Sequence, residues 1–197
     1  MILALDISTS CIGYAIFNED GKLIELNCVK FADKITIFEK LEEFKRVTEY
    51  LKKFPITFIA IEEPLKKFMG KFSSATTIAL LNFFNGMISS YLYLEFGMEP
   101  IYFNVNNARS LAFGKRTKGG TSGESEDKPE KGGNSIKHDI WKKVMELEPL
   151  INWKYGPRSM KLLDENYDMA DAYTIGIAML ITIERQKGAL NQDSSSK

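Results

Sequence analysis

Apolar positions along this chain follow two periods, and the changes between them mark its elements. Residues 2–5 form a short apolar run that ends at Asp6 and a Ser8-Thr9-Ser10 turn. A β-favouring pattern resumes over 13–17. The turn sequence Asn18-Glu19-Asp20-Gly21 follows, and residues 22–29 alternate as a third strand. The opening therefore predicts a three-stranded meander with Asp6 at the end of its first strand. From 38 to 54 the period becomes helical, with Phe38, Leu41, Phe44, Val47, Tyr50 and Leu51 separated mostly by Lys and Glu. Pro55 stops that helix. The run TFIAI at 57–61 has the unbroken apolar, β-rich character of a buried central strand, and it closes on Glu62-Glu63-Pro64.

A long apolar helix is predicted over 73–96, with Ser73 or Ser74 as N-cap and Gly97 just past its end. Residues 100–105 predict a fifth strand and 106–113 a short helix. Residues 114–135 break the pattern. They are rich in Gly, Ser, Lys and Glu with almost nothing apolar, which predicts a flexible polar insertion. Helical spacing returns over 136–147, and residues 148–165 are irregular around Pro149, Gly156 and Pro157. The last helix is predicted over 167–185, before a polar tail. The order β-β-β-α-β-α-β-α-α describes an α/β or α+β domain whose single mixed sheet is covered by helices. One domain is expected over 1–187, with 188–197 a disordered tail.

Composition narrows the class of molecule without naming a function. The chain has 197 residues, 44% of them hydrophobic and 26% charged, in the range of an ordinary globular domain. Lys and Arg balance Asp and Glu at 26 each, which excludes a globally basic nucleic-acid tail. The balance is uneven along the chain. Between 104 and 161 there are twelve Lys and Arg against seven Asp and Glu, and phosphate contacts need only such a local basic face. Two cysteines, Cys11 and Cys28, are too few for a disulfide framework or a four-ligand zinc site. They are expected as reduced thiols of a cytoplasmic protein. The longest apolar stretch, near 76–84, is too short to cross a bilayer.

Four carboxylates depart from the usual placement on polar helix faces. Asp6 and Glu62 each end an apolar strand, and Asp168 and Asp171 lie one turn apart at the start of an otherwise apolar helix, on a shared face. Taken singly, each has an ordinary structural role, as turn residue, strand end or first-turn charge. Two strand ends and one helix start can nevertheless meet at one rim of a sheet. Carboxylates gathered there repel one another unless a divalent cation neutralises them. All-oxygen ligands suit Mg²⁺ or Mn²⁺, and two such ions serve phosphodiester hydrolysis.

The stretches carrying these acids resemble a known family. LALDISTSCIGYAIF is similar to the first motif of the RuvC-type Holliday junction resolvases of the RNase H-like superfamily: a strand, an Asp, a small-residue turn, Gly with an aromatic and a small residue, and a second strand. IAIEEP resembles their second motif, an apolar strand closing on a Glu. YDMADAYTIGIA resembles their last, Asp-x-x-Asp-Ala leading into a small and apolar helix. The three occur in family order over roughly residues 1–185.

The resemblance implies an RNase H-like α/β fold, with a five-stranded mixed sheet made of a three-stranded antiparallel meander plus two parallel strands. It implies a metal-dependent, structure-selective endonuclease that resolves four-way DNA junctions by symmetric cleavage. Asp6, Glu62, Asp168 and Asp171 would be both catalytic and metal-binding, holding two Mg²⁺ ions, with Mn²⁺ as a substitute. Glu63 would point to the opposite face from Glu62. Phe68, Lys71 and Phe72 match a loop that enters the junction, and as a plain alternative they form a hydrophobic hinge before the long helix. Arg109 and Lys137 match basic positions that contact DNA, and Lys115, Arg116 and Lys118 extend that basic surface. His138, the single histidine, is expected to cap or face solvent and not to bind metal. Symmetric cleavage calls for a two-fold homodimer, and Phe83, Phe84, Met87, Tyr91 and Tyr93 on the long helix exceed what one helix face buries.

The chain departs from the family in its longer polar insertion at 114–135 and its zero net charge. Other readings are an RNase H-fold nuclease for other branched DNA or RNA, an actin-like or sugar-kinase ATP-binding protein, and a non-catalytic nucleic-acid-binding module. The ATP-binding class opens with a similar strand-Asp-turn, but it needs a duplicated half that this chain lacks. No membrane association is expected. The expected compartment is the cytoplasm, or the DNA-replication compartment of a host cell if the source is a phage or virus.

Overall fold

The computed structural model describes residues 1–64, 75–114, 134–158 and 160–194. The meander forms as the pattern predicts: β1 (Ile2–Ile7), β2 (Cys11–Phe17) and β3 (Leu23–Lys30) pair antiparallel in sequence. A capping box opens α1 (Ile37–Leu51): the Glu39 amide donates to Thr36 Oγ1 at 3.2 Å and the Thr36 amide to Glu39 Oε2 at 2.7 Å. That box sets the helix start one residue before the predicted one. The amides of Lys53 and Phe54 bond back to Tyr50 and Leu51 in a closing turn before Pro55, so the helix ends at Leu51.

The chain then enters β4 (Phe58–Glu62), α2 (Ala75–Phe96), β5 (Ile101–Phe103), α3 (Val105–Phe113), α4 (Asn134–Leu147) and α5 (Glu165–Ser194). Gly97, at φ 68°, takes the left-handed conformation that ends α2. The proposed N-caps Ser73 and Ser74 lie outside the described residues. α5 continues past its expected end at Arg185, because Ala189 and its neighbours sustain helical bonding and no proline interrupts them.

The five-stranded sheet has the order β3-β2-β1-β4-β5. β4 and β5 run parallel to β1 and extend it on the side away from the meander. The fold class is therefore the expected one, a mixed α/β sheet with helices on both faces. β1 lies at its centre, buried along its whole length.

Strand alternation divides the core in two. Leu3, Leu5 and Ile7 of β1, Ile12, Tyr14 and Ile16 of β2, and Ile59 and Ile61 of β4 face α1 and α2, packing with Phe44, Phe84, Ile88 and Leu92. Ile2 and Ala4, Ala15 and Phe17, and Ala60 face α5, α4 and α3. Small side chains on this second face let α5 lie close. A Cβ on Gly13 would stand 2.2 Å from the Asp168 carbonyl oxygen, so only glycine admits the helix there. Gly176 plays the same part against the Phe17 ring.

Candidate active site

Register and parity carry two strand-end acids to one place. Ala4 pairs with Ala60 and Leu5 with Ile61, so one step further along the parallel pair lie Asp6 and Glu62. Both share the face of Ala4 and Ala60, the face that α5 covers. The start of α5 is held over that rim by the contact at Gly13, and Asp168 and Asp171 lie on it one turn apart. One carboxylate oxygen from each of Asp6, Glu62 and Asp171 lies within 4.8 Å of the other two. Asp168 flanks this trio, and all four line a cleft of about 310 Å³. Glu63 lines the same cleft but is not one of the trio, and its amide donates to the Phe103 carbonyl at 2.8 Å.

The cluster is electrostatically strained. Asp6 is pushed up to about 8 by burial first and then by the charges of Asp168 and Asp171. Glu62 rises to about 9, again through burial and then through Asp6 and Asp171, and the Asp6 and Glu62 side chains are hydrogen-bonded to each other. Asp168 rises to about 7, with burial the largest cause. Without a bound cation the cluster therefore retains protons that ordinary carboxyls lose near pH 4.

Two basic side chains enter the same site. Arg109 Nη2 donates to Asp171 Oδ1 at 2.7 Å, and its side chain is only 16% exposed. Lys137 Nζ stands 3.7 Å from Asp171 Oδ2 and 3.8 Å from Asp168 Oδ1, with 43% of its side chain exposed. The surrounding carboxylates raise the Lys137 pKa against the opposing effect of burial. Both residues were expected on a DNA-facing surface. The structure sets Arg109 inward as the partner of Asp171, with its Nε buried and unbonded. It leaves Lys137 at the mouth of the cleft. His138 stacks near Trp141, with ring centroids 5.1 Å apart, and meets the Tyr167 hydroxyl at 3.3 Å. It is not among the grouped ligands.

The carboxylate set fits a hard divalent cation. It offers only oxygen donors, three of them converge, and burial makes their mutual repulsion costly without a counter-ion. One supporting residue was missed from sequence. Asn85 is buried on α2, lines the cleft, and its Nδ2 donates to the Glu62 carbonyl at 3.5 Å. Its signal was an amide within an otherwise apolar stretch of helix.

No protein-family model and no curated protein sequence matches the chain. Solved structures do. RuvC of Thermus thermophilus matches at a TM-score of 0.58 and 16% identity, over 94% of this chain and 96% of that one. RuvC of the same organism in complex with a Holliday junction substrate matches at 0.62 and 13%, over 93% and 94%. The yeast mitochondrial Holliday junction resolvase matches at 0.59 and 15%, over 100% of this chain and 84% of that one. This chain has the RuvC-type resolvase fold.

Within that fold, Asp6, Glu62, Asp168 and Asp171 occupy one rim, with Arg109 and Lys137 beside them. Phe68, Lys71 and Phe72 lie outside the described residues, as do Lys115, Arg116 and Lys118. Pro64, which precedes the first of these groups, lines the acidic cleft. Among the described residues no helix is long and apolar enough to cross a membrane.

Proposed function

We propose that this protein is a divalent-metal-dependent endonuclease that cuts four-way DNA junctions, acting as a homodimer. The observation that carries this reading is the convergence of Asp6, Glu62 and Asp171 in a buried cleft of a RuvC-type fold. The RuvC complex with a Holliday junction supports the substrate class. Asp6, Glu62 and Asp171 would hold the metal, with Asp168 as a further carboxylate ligand. Bound Mg²⁺ or Mn²⁺ supplies water activation and charge neutralisation at a phosphodiester, and a pair of ions would serve both attacking and leaving oxygens. Arg109 orients the Asp171 carboxylate. Lys137, at the cleft mouth, presents positive charge to the backbone phosphates. Asn85 ties the end of β4 to α2 through the Glu62 carbonyl.

Phe68 and Phe72 are proposed to stack on unpaired bases at the branch point, with Lys71 on phosphate. Lys115, Arg116 and Lys118 are proposed as further phosphate contacts. A symmetric pair of cuts needs a second copy. The outer face of α2 and the edge strand β5 offer an apolar surface for it: Phe83 is 57% and Leu94 77% exposed, with Tyr93 and Tyr102 beside them.

The test is cleavage of a synthetic four-way junction, a flap and a linear duplex, with Mg²⁺, with Mn²⁺ and with chelator. Symmetric nicks confined to the junction and lost with chelator are expected. Cleavage that ignores branching, or ATP turnover in place of nicking, would overturn the reading. Light scattering at micromolar concentration checks the dimer, and Leu94→Glu should return it to monomer.

A further inference from the structure

Helix α2 carries two polar side chains within its buried apolar face. Asn85 and Ser89 lie one turn apart, 3% and 5% exposed, among Phe84, Ile88 and Leu92. A buried amide or hydroxyl in such surroundings costs free energy unless it is bonded. Ser89 Oγ donates to Asn85 Oδ1 at 3.3 Å, and Asn85 Nδ2 donates to the Glu62 carbonyl at 3.5 Å. The two side chains form a ladder whose ends lie in different clefts. Asn85 lines the acidic cleft. Ser89 lines a groove of about 600 Å³ that also takes in Gly86, Ser90, Tyr93, Leu94 and Tyr102. This groove is part of the apolar surface proposed above for a second copy.

Of the three converging carboxylates, Glu62 has the least support from the centre of the fold. Asp6 ends the central strand, and Asp171 is braced by Arg109. Glu62 ends β4, whose outer neighbour is the three-residue edge strand β5. Glu62 pairs with Phe103 and Ile61 with Tyr102, and Tyr102 is a wall of the groove that Ser89 lines. The backbone at Glu62 is therefore tied to that groove from two sides, through α2 and through β5. Both bonds of the ladder are long, against about 2.8 Å for hydroxyl donors and about 2.9 Å for amides, so the ladder has room to tighten.

We propose that Asn85 and Ser89 are positioning residues for the carboxylate cleft, and that a second copy seated in the α2–β5 groove acts through them to raise the affinity of Asp6, Glu62 and Asp171 for a divalent cation. With the groove open, water competes with Asn85 for the Ser89 hydroxyl. A second copy dries the groove and holds α2 and β5 in place. That leaves Asn85 as the partner of the hydroxyl and fixes its amide on the Glu62 carbonyl. Asparagine suits the position because it accepts and donates at once, whereas leucine fills about the same volume and does neither. Coupling of this kind is reciprocal: whatever factor the dimer adds to metal affinity, each bound ion adds to the dimer. The inference rests on the metal centre and the dimer of the proposed function, and it is independent of which DNA is cut.

The experiment titrates the full chain with Mn²⁺, read by the paramagnetic signal of the free ion, at protein concentrations below and above dimer dissociation. Sedimentation with Mn²⁺ and with chelator gives the dimer constant. Mn²⁺ affinity should rise about tenfold from monomer to dimer, and Mn²⁺ should tighten the dimer by the same factor for each ion bound. Ser89→Ala and Asn85→Leu should still dimerise but lose most of that rise, while Ser89→Thr, which keeps the hydroxyl, should retain it. The wild-type arms and the Ser89 pair carry the test if Asn85→Leu fails to fold. Dimers that bind Mn²⁺ no more tightly than monomers do would overturn the coupling and leave the nuclease reading untouched. A rise that survives both Ser89→Ala and Asn85→Leu would overturn the part given to these residues. A chain that stays monomeric, or that binds no Mn²⁺, would overturn the inference together with the dimer or the metal centre beneath it, and junction cleavage by the same samples tells those cases apart.

Discussion

The two faces of the sheet are built from the same strands, yet they are made for different work. Toward α1 and α2 the strands present Leu3, Leu5, Ile7, Ile12, Ile16, Ile59 and Ile61, which meet Phe44, Phe84 and Ile88. Toward α5 they present Ala4, Gly13, Ala15 and Ala60, and beyond these, at the strand ends, Asp6 and Glu62. The first face is packed with large branched and aromatic side chains, whose buried apolar area helps to hold the domain together. The second uses small residues to bring a helix near enough that acids from three elements share one cleft. Three of its carboxylates, Asp6, Glu62 and Asp168, are pushed up to between about 7 and 9, a cost that the packing of the domain offsets. A period of two residues along β1 thus separates stability from chemistry.

The largest effect that would test this division is chemical. Asp6→Asn should lower metal-dependent junction cleavage by about a thousandfold, the scale on which a charge-stabilising group is lost from a catalytic centre. Junction binding should hold or tighten, because one negative charge facing phosphate is removed. The melting temperature should stay level or rise, since a buried acid among acids is removed. Single-turnover cleavage, a binding titration and a melting curve together check the three parts. A variant that unfolds would place Asp6 among the structural residues instead.

On the opposite face the pattern should invert. Phe84→Ala should cost about 3–5 kcal/mol of stability, read from denaturant midpoints, while cleavage per folded molecule at low temperature stays near that of the wild type. If activity falls further than the folded fraction does, the two faces are coupled through Asn85, which neighbours Phe84 on α2 and bonds the Glu62 carbonyl.

The two close-approach glycines sharpen the comparison within the α5 face. At Gly13 the obstacle to a Cβ is backbone, the Asp168 carbonyl at 2.2 Å. Gly13→Ala should therefore displace the start of α5, costing about 1–3 kcal/mol and a disproportionate share of activity. At Gly176 the obstacle is the edge of the Phe17 ring, which can turn, and alanine also gains about 1 kcal/mol in helix propensity. Gly176→Ala should be milder in stability and leave metal binding intact. Calorimetry with Mn²⁺ separates the two variants.

The smallest effect is one of pH. In the metal-free chain the raised carboxyls stay protonated well above the values of about 4 that hold in the unfolded chain. The folded state then binds more protons than the unfolded one, and stability falls as pH rises. The contribution is full below about pH 4 and is lost as pH passes through the folded values of about 7 to 9. Melting temperatures measured with chelator should decline over that interval, and millimolar Mg²⁺ should flatten the decline at pH 8. A chelated protein whose melting temperature climbs between pH 5 and 8 would show that the cluster is already compensated by Arg109 and Lys137.

Much of this was legible in the chain itself. The apolar run from Ile2 into Asp6, the unbroken run into Glu62 and the paired acids at the head of α5 are local patterns. Period and burial follow directly from side-chain chemistry, so the order of elements and all four chemically suspect positions, Asp6, Glu62, Asp168 and Asp171, could be found without a fold. The small residues around those acids were visible too, but their purpose was not. Whether Gly13 serves a turn or a close approach depends on a helix more than 150 residues away in sequence. The basic residues were the least legible. Arg109 reads as a solvated cation on a short helix, and only the packing of α3 beneath α5 turns it inward onto Asp171. Lys137 likewise carries no mark of its distance to two aspartates. The ladder on α2 belongs to the same class: Asn85 and Ser89 read as polar interruptions of an apolar helix until β4 brings the Glu62 carbonyl beside them. Period and propensity act between near neighbours, so the sequence by itself determined the elements and which residue types end them. Electrostatic partners are chosen across the sheet by register and helix placement, and these only the tertiary structure decided.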